Sequence, residues 1–320
     1  MTTEQINNGL IEIMREKVPA GTNLARVLMD LLCIGKEAVY RRLRGEVPFT
    51  LAEAAIVSGK LGISLDKLVG SGREGNAVFD LNIVRYENPV DTYYAMIDNY
   101  LRLFEGIADP SAVETGTAAN IIPQMFTMKY EMLSRFRFAK WVYQNQTREH
   151  VRTLDELVLP DRLYQKQAEY VAALQDFGFT YYIWDSMLFN LLVNDIKYFV
   201  SINMLNDRNV ARLREELQVL LEEMYVMCST GHFRSGREVQ IYISNINFEA
   251  TYSYIETRGY LLSMLKAFSV SSMTSRDEGV FNNLKQWIRS LKKFSILISQ
   301  SGEMHRIQFF TRQKEIVNTL

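Results

Sequence analysis

The sequence is poor in the residues that build disulfide and metal sites. It has two cysteines and three histidines among 320 residues, and Cys33 and Cys228 lie far apart without a CxxC spacing. This usage indicates a reducing compartment and argues against a disulfide framework. The histidines show no HxxxH, HExxH or Cys/His ligand spacing. We therefore predict no metal site and no bound cofactor.

Strong net charge and membrane segments are also lacking. Lys and Arg number 36 against 37 Asp and Glu, so no global basic field of the kind that marks many non-specific nucleic-acid binders is present. The N-terminal stretch has no basic flank followed by an apolar run, which excludes a signal peptide. The most apolar segment, residues 187–205, carries several polar side chains and predicts a buried helix. We expect a cytoplasmic protein that does not contact a membrane.

Motifs of catalysis and nucleotide binding are missing as well. The sequence contains no GxSxG, GxGxxG or Walker-type loop. We predict no catalytic residues and no enzyme activity. An enzyme within residues 76–320 remains an alternative, against which only this negative evidence speaks.

The hydrophobic pattern divides the chain into regions of different character. The pattern of residues 1–70 predicts short helices joined by tight turns. The glycine-rich residues 71–76 are predicted to form a linker. Residues 77–230 have mainly helical spacing, whereas apolar and polar residues alternate in the strand pattern of 239–244 within the α+β region 231–320. The last two regions are either separate or one continuous sensor or dimerisation unit. The predicted fold class is mainly α, with an N-terminal helix-turn-helix bundle, a large helical middle region, and a smaller α+β C-terminal part with a short antiparallel sheet.

One short predicted helix, residues 36–44, concentrates positive charge. It holds four cations and one anion, whereas residues 1–70 together hold nine cations and eight anions. At helical spacing Val39 and Leu43 lie one turn apart and face inward. The residues that then face outward are Lys36, Glu37, Tyr40, Arg41 and Arg44, with Arg42 at the edge. Such a helix suits the major groove, because Arg pairs bidentately with guanine and other cations neutralise phosphates. A solvated basic helix face is the alternative interpretation of the charges alone.

The surrounding residues resemble the lambda-repressor/Cro-like (XRE) helix-turn-helix family. The resemblance rests on Ile34, Val39, Arg41, Leu43 and Gly45, followed by the stretch LGISLDKLV at 61–69. The form AVYRRLRGEVPFT is similar to the BetR-like branch of bacterial regulators. It departs from the family at Met29, Cys33 and Gly35, which stand where a small residue, a glycine and a Ser/Thr cap are usual. The resemblance covers roughly residues 20–70, under a fifth of the chain.

The resemblance implies a transcription regulator that binds double-stranded DNA. Its base-reading helix would be the second of the central pair, with contacts carried over to Lys36, Glu37, Tyr40, Arg41 and Arg44. Arg42 is included as a DNA-contact candidate from the edge of the same helix. A homodimer on two half-sites is expected, with a small-molecule or protein effector left open for the remaining chain. The alternative is a protein-interaction module that uses the helix-turn-helix as a docking surface.

Overall fold

The chain forms two compact units, Met1–Val78 and Phe79–Leu320. The computed structural model describes residues 2–19, 21–69, 77–81, 88–145, 153–266 and 272–320. The linker predicted for residues 71–76 lies outside the described residues. Each unit is described by itself below.

The first unit is helical throughout its described elements. Its helices are α1 Thr3–Lys17, α2 Leu24–Leu32, α3 Lys36–Leu43, α4 Leu51–Leu61 and α5 Leu65–Val69.

Capping residues and a small apolar core define these helices. The Asn23 side chain accepts hydrogen bonds from two amides of α2, and Thr50 forms a reciprocal capping box with Glu53 at the start of α4. Met14, Leu28 and Val57 are fully buried between the helices. The predicted caps at Asn23 and Thr50 are confirmed, because each side chain satisfies amides that the first helical turn leaves without a partner.

The second unit combines helices with a large sheet. Its helices are α6 Pro89–Phe104, α7 Gln124–Thr127, α8 Glu131–Asn145, α9 Asp161–Gln175, α10 Asn190–Ser201, α11 Asp207–Thr230, α12 Glu278–Lys293 and α13 Glu303–Val317, with 3-10 turns at Pro110–Ala112 and Leu154–Glu156. Its strands are β1 Asp80–Leu81, β2 Glu114–Ala119, β3 Phe179–Trp184, β4 Glu238–Ser244, β5 Tyr252–Thr257, β6 Tyr260–Lys266, β7 Ser272–Ser275 and β8 Ser295–Leu297.

Within the described residues these strands form one mixed sheet of eight. The order is β1-β7-β6-β5-β2-β3-β4-β8. The central strands β2, β3 and β4 are parallel, and the remaining pairs are antiparallel. Helical crossovers join the parallel strands, as parallel pairing requires. The sheet therefore draws strands from both the middle and the C-terminal part of the chain.

The sheet is covered by helices on both faces. On one face, Tyr181, Tyr254 and Ala118 pack with apolar residues of α12 such as Phe281 and Ile288. On the opposite face, the strands pack on α8, α10, α11 and α13 in the largest apolar core of the unit. Trp184 and its neighbours are consequently buried, as expected for strands in the centre of a covered sheet.

The predicted fold class is wrong for the second unit. The structure is an α/β protein whose parallel strands cross the region predicted to be helical, and the sheet is neither short, C-terminal nor purely antiparallel. The sequence predicted a strand at β4 because apolar and polar residues alternate in its sequence, EVQIYIS. The strands β2 and β3, with sequences ETGTAA and FTYYIW, are largely buried and show no such alternation. Strands covered on both faces lack the polar side that marks a half-exposed strand.

In the part of the chain that the structure describes, no helix combines the length and the apolar character needed to cross a membrane.

Candidate nucleic-acid interface

A tight turn joins α2 to α3. Its first residue, Cys33, has φ 53° and ψ 39°, in the left-handed region that favours glycine. Gly35 then precedes α3 in an extended conformation and provides no side-chain cap. The helix begins at Lys36 and is closed by Gly45, whose φ of 77° confirms the predicted left-handed stop. Two short helices joined by a turn of three residues are the geometry of a helix-turn-helix.

The inner side of α3 is anchored in the core of the first unit. Val39 is 1% exposed and packs in the same cluster as Leu28 and Val57. Leu43 and Tyr40 are half-buried against this cluster. The predicted inward orientation of Val39 and Leu43 is therefore confirmed. Tyr40 lies at the boundary, with one side against the core and its ring 5.9 Å from the Lys36 ammonium.

The outer side of α3 presents three cations to solvent. Lys36 is exposed, and about half of the Arg41 and Arg44 side chains is accessible. Two carboxylates share this surface, since Glu37 lies in the first turn and Glu46 follows the helix. We name the set Lys36, Glu37, Arg41, Arg44 and Glu46 the α3 surface.

Ion pairs tie these side chains together. The Arg44 Nε donates to Glu46 Oε1 at 2.6 Å, and its Nη2 donates to Glu37 Oε1 at 3.2 Å. Arg41 Nε lies 3.7 Å from Glu46 Oε2. The hydrogen bond from Arg44 lowers the pKa of Glu46, so this carboxylate is ionised at neutral pH. The arginines are held in place by contacts that are exposed to water, and such pairs contribute little to stability because solvent screens them.

Arg42 points away from this surface. Its Nε and Nη2 donate to the two carboxylate oxygens of Glu53 at 3.1 and 2.7 Å, and its Nη1 donates to the Ala38 carbonyl at 3.1 Å. Both side chains of this pair are only 15% exposed. Glu53 also accepts from the Thr50 amide at 2.9 Å. Although burial raises the pKa of Glu53, the hydrogen bonds from Arg42 and Thr50 outweigh it and lower the pKa. Arg42 thus joins α3 to the start of α4.

The structure brings most of the sequence-predicted contact residues to one surface but separates Arg42 from them. Glu46 and Glu53, whose carboxylates pair with these arginines, were absent from the predicted set of contact residues. Glu46 could have been found from its place directly after the glycine stop. In the sequence, Glu53 can be recognised only as a capping residue. Its pairing with Arg42 joins two helices and depends on how these helices pack, which the sequence does not show.

Replacing Cys33 by glycine is expected to stabilise the first unit by roughly 0.5–1 kcal/mol. A β-carbon in the left-handed region is strained, and glycine removes that strain at a smaller entropic cost. Hydrogen exchange of the α2 and α3 amides in the full chain measures the change. The matched control is Cys33→Ala, which removes the thiol and keeps the β-carbon. Equal stabilisation by both variants would contradict the explanation.

Among the described residues, no group of three or more His, Cys, Asp or Glu side chains is placed to hold a metal ion. Comparison of the chain with protein families, with curated proteins and with solved structures finds no match.

Proposed function

We propose that this chain is a sequence-specific, DNA-binding transcription regulator in which α3 enters the major groove. The observation that carries the proposal is that α3 has one set of residues that anchors it and another that is accessible to a ligand. Val39 and Arg42 fix the helix to the rest of the first unit, while Lys36, Arg41 and Arg44 stay accessible. A rigidly mounted helix with solvent-accessible arginines is what direct readout of base edges requires.

Binding would exchange the carboxylates of the α3 surface for DNA. Arg41 and Arg44 give up exposed ion pairs, which are weak because solvent screens them. A bidentate contact to guanine provides roughly 1–3 kcal/mol of discrimination against a wrong base. The exchange therefore favours DNA where guanines face the arginines. Where they do not, Glu37 and Glu46 compete for the arginines and repel phosphates, which suppresses non-specific binding.

One α3 reads few base pairs, so we further propose a cytoplasmic homodimer that binds two half-sites about one helical turn apart. The second unit would then supply sensing or dimerisation.

The test is selection of bound duplexes from a random double-stranded library by the full chain, followed by sequencing. We expect an enriched motif with two related halves. Affinity for the selected duplex should fall linearly with the logarithm of salt concentration, with a slope of about −0.9 per neutralised phosphate. Mapping of bound sites in the genome then identifies the regulated promoters. Enrichment of no motif, with no duplex bound at low salt, would contradict the proposal.

Replacing Glu46 by glutamine is expected to raise affinity for unrelated duplexes several-fold. The change removes a carboxylate that pairs with Arg44 and Arg41 and repels phosphate, while the side chain keeps its size. Fluorescence anisotropy with selected and scrambled duplexes measures the effect. The gain should be larger for the scrambled duplex. Glu16→Gln on α1 removes an exposed carboxylate elsewhere in the unit and should change neither affinity.

A protein-docking surface is the second candidate. It is favoured by the two carboxylates that pair with the arginines, since a surface of mixed charge also suits a partner protein. Co-purification of a stable protein partner that Arg41→Ala and Arg44→Ala release, in a chain that binds no duplex, would select this candidate.

A further inference from the structure

A cavity of about 110 Å³ with polar and apolar lining residues lies in the second unit, between the sheet and the helices α6, α7 and α9. Its position follows from strand direction. Because β5 is antiparallel to β2 and β6 is antiparallel to β5, β6 ends at the same edge of the sheet as β2 and β3. In open α/β sheets, ligands bind beyond the carboxyl ends of parallel strands. The cavity lies over one face of the sheet, and Lys266 borders it at this edge.

Lys266, the last residue of β6, faces the cavity. Its backbone is fixed, since its amide donates to the Thr251 carbonyl at 3.0 Å. Its side chain is half-buried, as expected for a group beside a cavity. Within the described part of the chain its ammonium has neither a hydrogen bond nor an ion pair. Withdrawing an ammonium from water without a partner is costly, so this position calls for an explanation.

Other polar groups around the cavity also have spare hydrogen-bonding capacity. Among the described residues, the side chains of Gln124, Thr117, Ser253 and Tyr170 line the cavity and make no hydrogen bond. They lie on α7, β2, β5 and α9, so four different elements direct donors to one small space. No lining residue in the described ranges carries a carboxylate. These half-buried side chains are available to hydrogen-bond a ligand that enters the cavity.

Positive charge extends beyond Lys266. A second cavity of about 180 Å³, which shares Gln124 with the first, is lined by Arg137, Lys140 and Asp195. Asp195 pairs with Lys140, which leaves Arg137 without a carboxylate partner among the described residues. Burial, followed by the charges of Arg137 and Lys140, holds the pKa of Lys266 well below its usual range. Among the described residues, three basic side chains and one carboxylate thus line the two cavities.

We propose that the cavity at Lys266 binds a small molecule through an anionic oxygen group, a carboxylate or a phosphate. The anion would accept hydrogen bonds from the Lys266 ammonium and from the hydroxyls of Thr117 and Ser253. The cavity is smaller than the roughly 300–1,000 Å³ of pockets for drug-sized ligands, which restricts the occupant to a small anion. Such a ligand supplies the counter-charge that the described lining residues do not provide. It would be the signal that the regulator senses.

Isothermal titration of the full chain with inorganic phosphate and with acetate tests this proposal, with chloride at matched ionic strength as the baseline. We expect saturable binding of at least one of the two anions. Phosphate alone identifies a phosphorylated ligand, acetate alone a carboxylate, and both together support a shared oxyanion site. No DNA is present, so the outcome is independent of the proposed DNA binding. Failure of both anions to bind would overturn the proposal.

Lys266→Met removes the charge and is expected to weaken binding of the anion at least tenfold. The same change should raise the melting temperature of the anion-free protein, because an apolar side chain replaces an amine that has no partner among the described residues. Thr117→Val retains the charge and should weaken binding less. Lys293→Met, an exposed residue of α12, is the matched control and should bind as the natural chain does. Equal affinity in Lys266→Met and Lys293→Met would refute the site.

Discussion

Replacing Arg41 and Arg44 together by alanine is expected to weaken binding to the selected duplex by roughly 100-fold or more. Each arginine contributes about 1–3 kcal/mol if it contacts a base, and every 1.4 kcal/mol is tenfold in affinity. Both lie on the exposed side of α3 and pair only with exposed carboxylates. The substitutions should therefore leave the fold of the first unit intact. Anisotropy measurements at several salt concentrations provide the affinity and the number of phosphates neutralised.

The double variant Lys17→Ala and Lys60→Ala serves as the charge-matched control. These lysines are exposed on α1 and α4, and their removal changes the net charge by the same amount. We expect a small, salt-dependent loss that is similar for all duplexes. If both double variants lost the same affinity, α3 would act only through its charge and would not be the base-reading helix.

The second large effect is expected from Arg42→Met, in stability. The substitution leaves the Glu53 carboxylate largely buried without its bidentate partner, and breaking such a pair costs about 3 kcal/mol. A helical unit of this size has a total stability of only a few kcal/mol, so the first unit should unfold or exchange freely. The three tryptophans, Trp141, Trp184 and Trp287, are all in the second unit. Loss of amide protection in α1–α4 with unchanged tryptophan fluorescence is therefore the expected result.

A second substitution separates structure from DNA contact at this position. Arg42→Met combined with Glu53→Gln removes both charges, and glutamine can still accept from the Thr50 amide. We expect this pair to recover most of the lost stability and to bind DNA. Recovered stability with DNA binding still absent would show that Arg42 itself contacts DNA.

The same ion pair predicts a pH dependence. Because the folded-state pKa of Glu53 is lowered, its contribution is fully present above the unfolded value of about 4.3. It is lost as the pH falls through the folded value. Acid should therefore destabilise α3 and α4 in the natural chain and have less effect in the variant with glutamine at position 53.

Local signals predicted the first unit well. Asn23, Thr50 and Gly45 mark helix ends through the hydrogen bonds and dihedral angles of their own neighbourhoods. These helix ends depend on a few adjacent residues, and so the sequence alone predicts them. The role of Arg42 could not be predicted, because nothing near it in the chain shows that Glu53 lies within reach.

In the second unit, by contrast, the reason for a residue can lie in elements that are distant in sequence. In β2, a β-carbon at Gly116 would lie 2.4 Å from Cζ of Tyr181 and 2.7 Å from Cε1 of Tyr254. The glycine is needed because two tyrosines from neighbouring strands pack over it. In the sequence, a glycine within ETGTAA argues against a strand. The reason for the residue lies in β3 and β5, which follow much later in the chain.

This arrangement of strands also has a consequence for synthesis on the ribosome. The first unit is helical and is complete within residues 1–78, and small helical units fold fast. In the second unit, Thr115 of β2 pairs with Ile255 of β5, about 140 residues later. At about 5–20 residues per second, β2 waits on the order of ten seconds for this partner. The first unit would be folded while the edge of β2 is still open, and that interval is when the nascent chain most needs protection from aggregation.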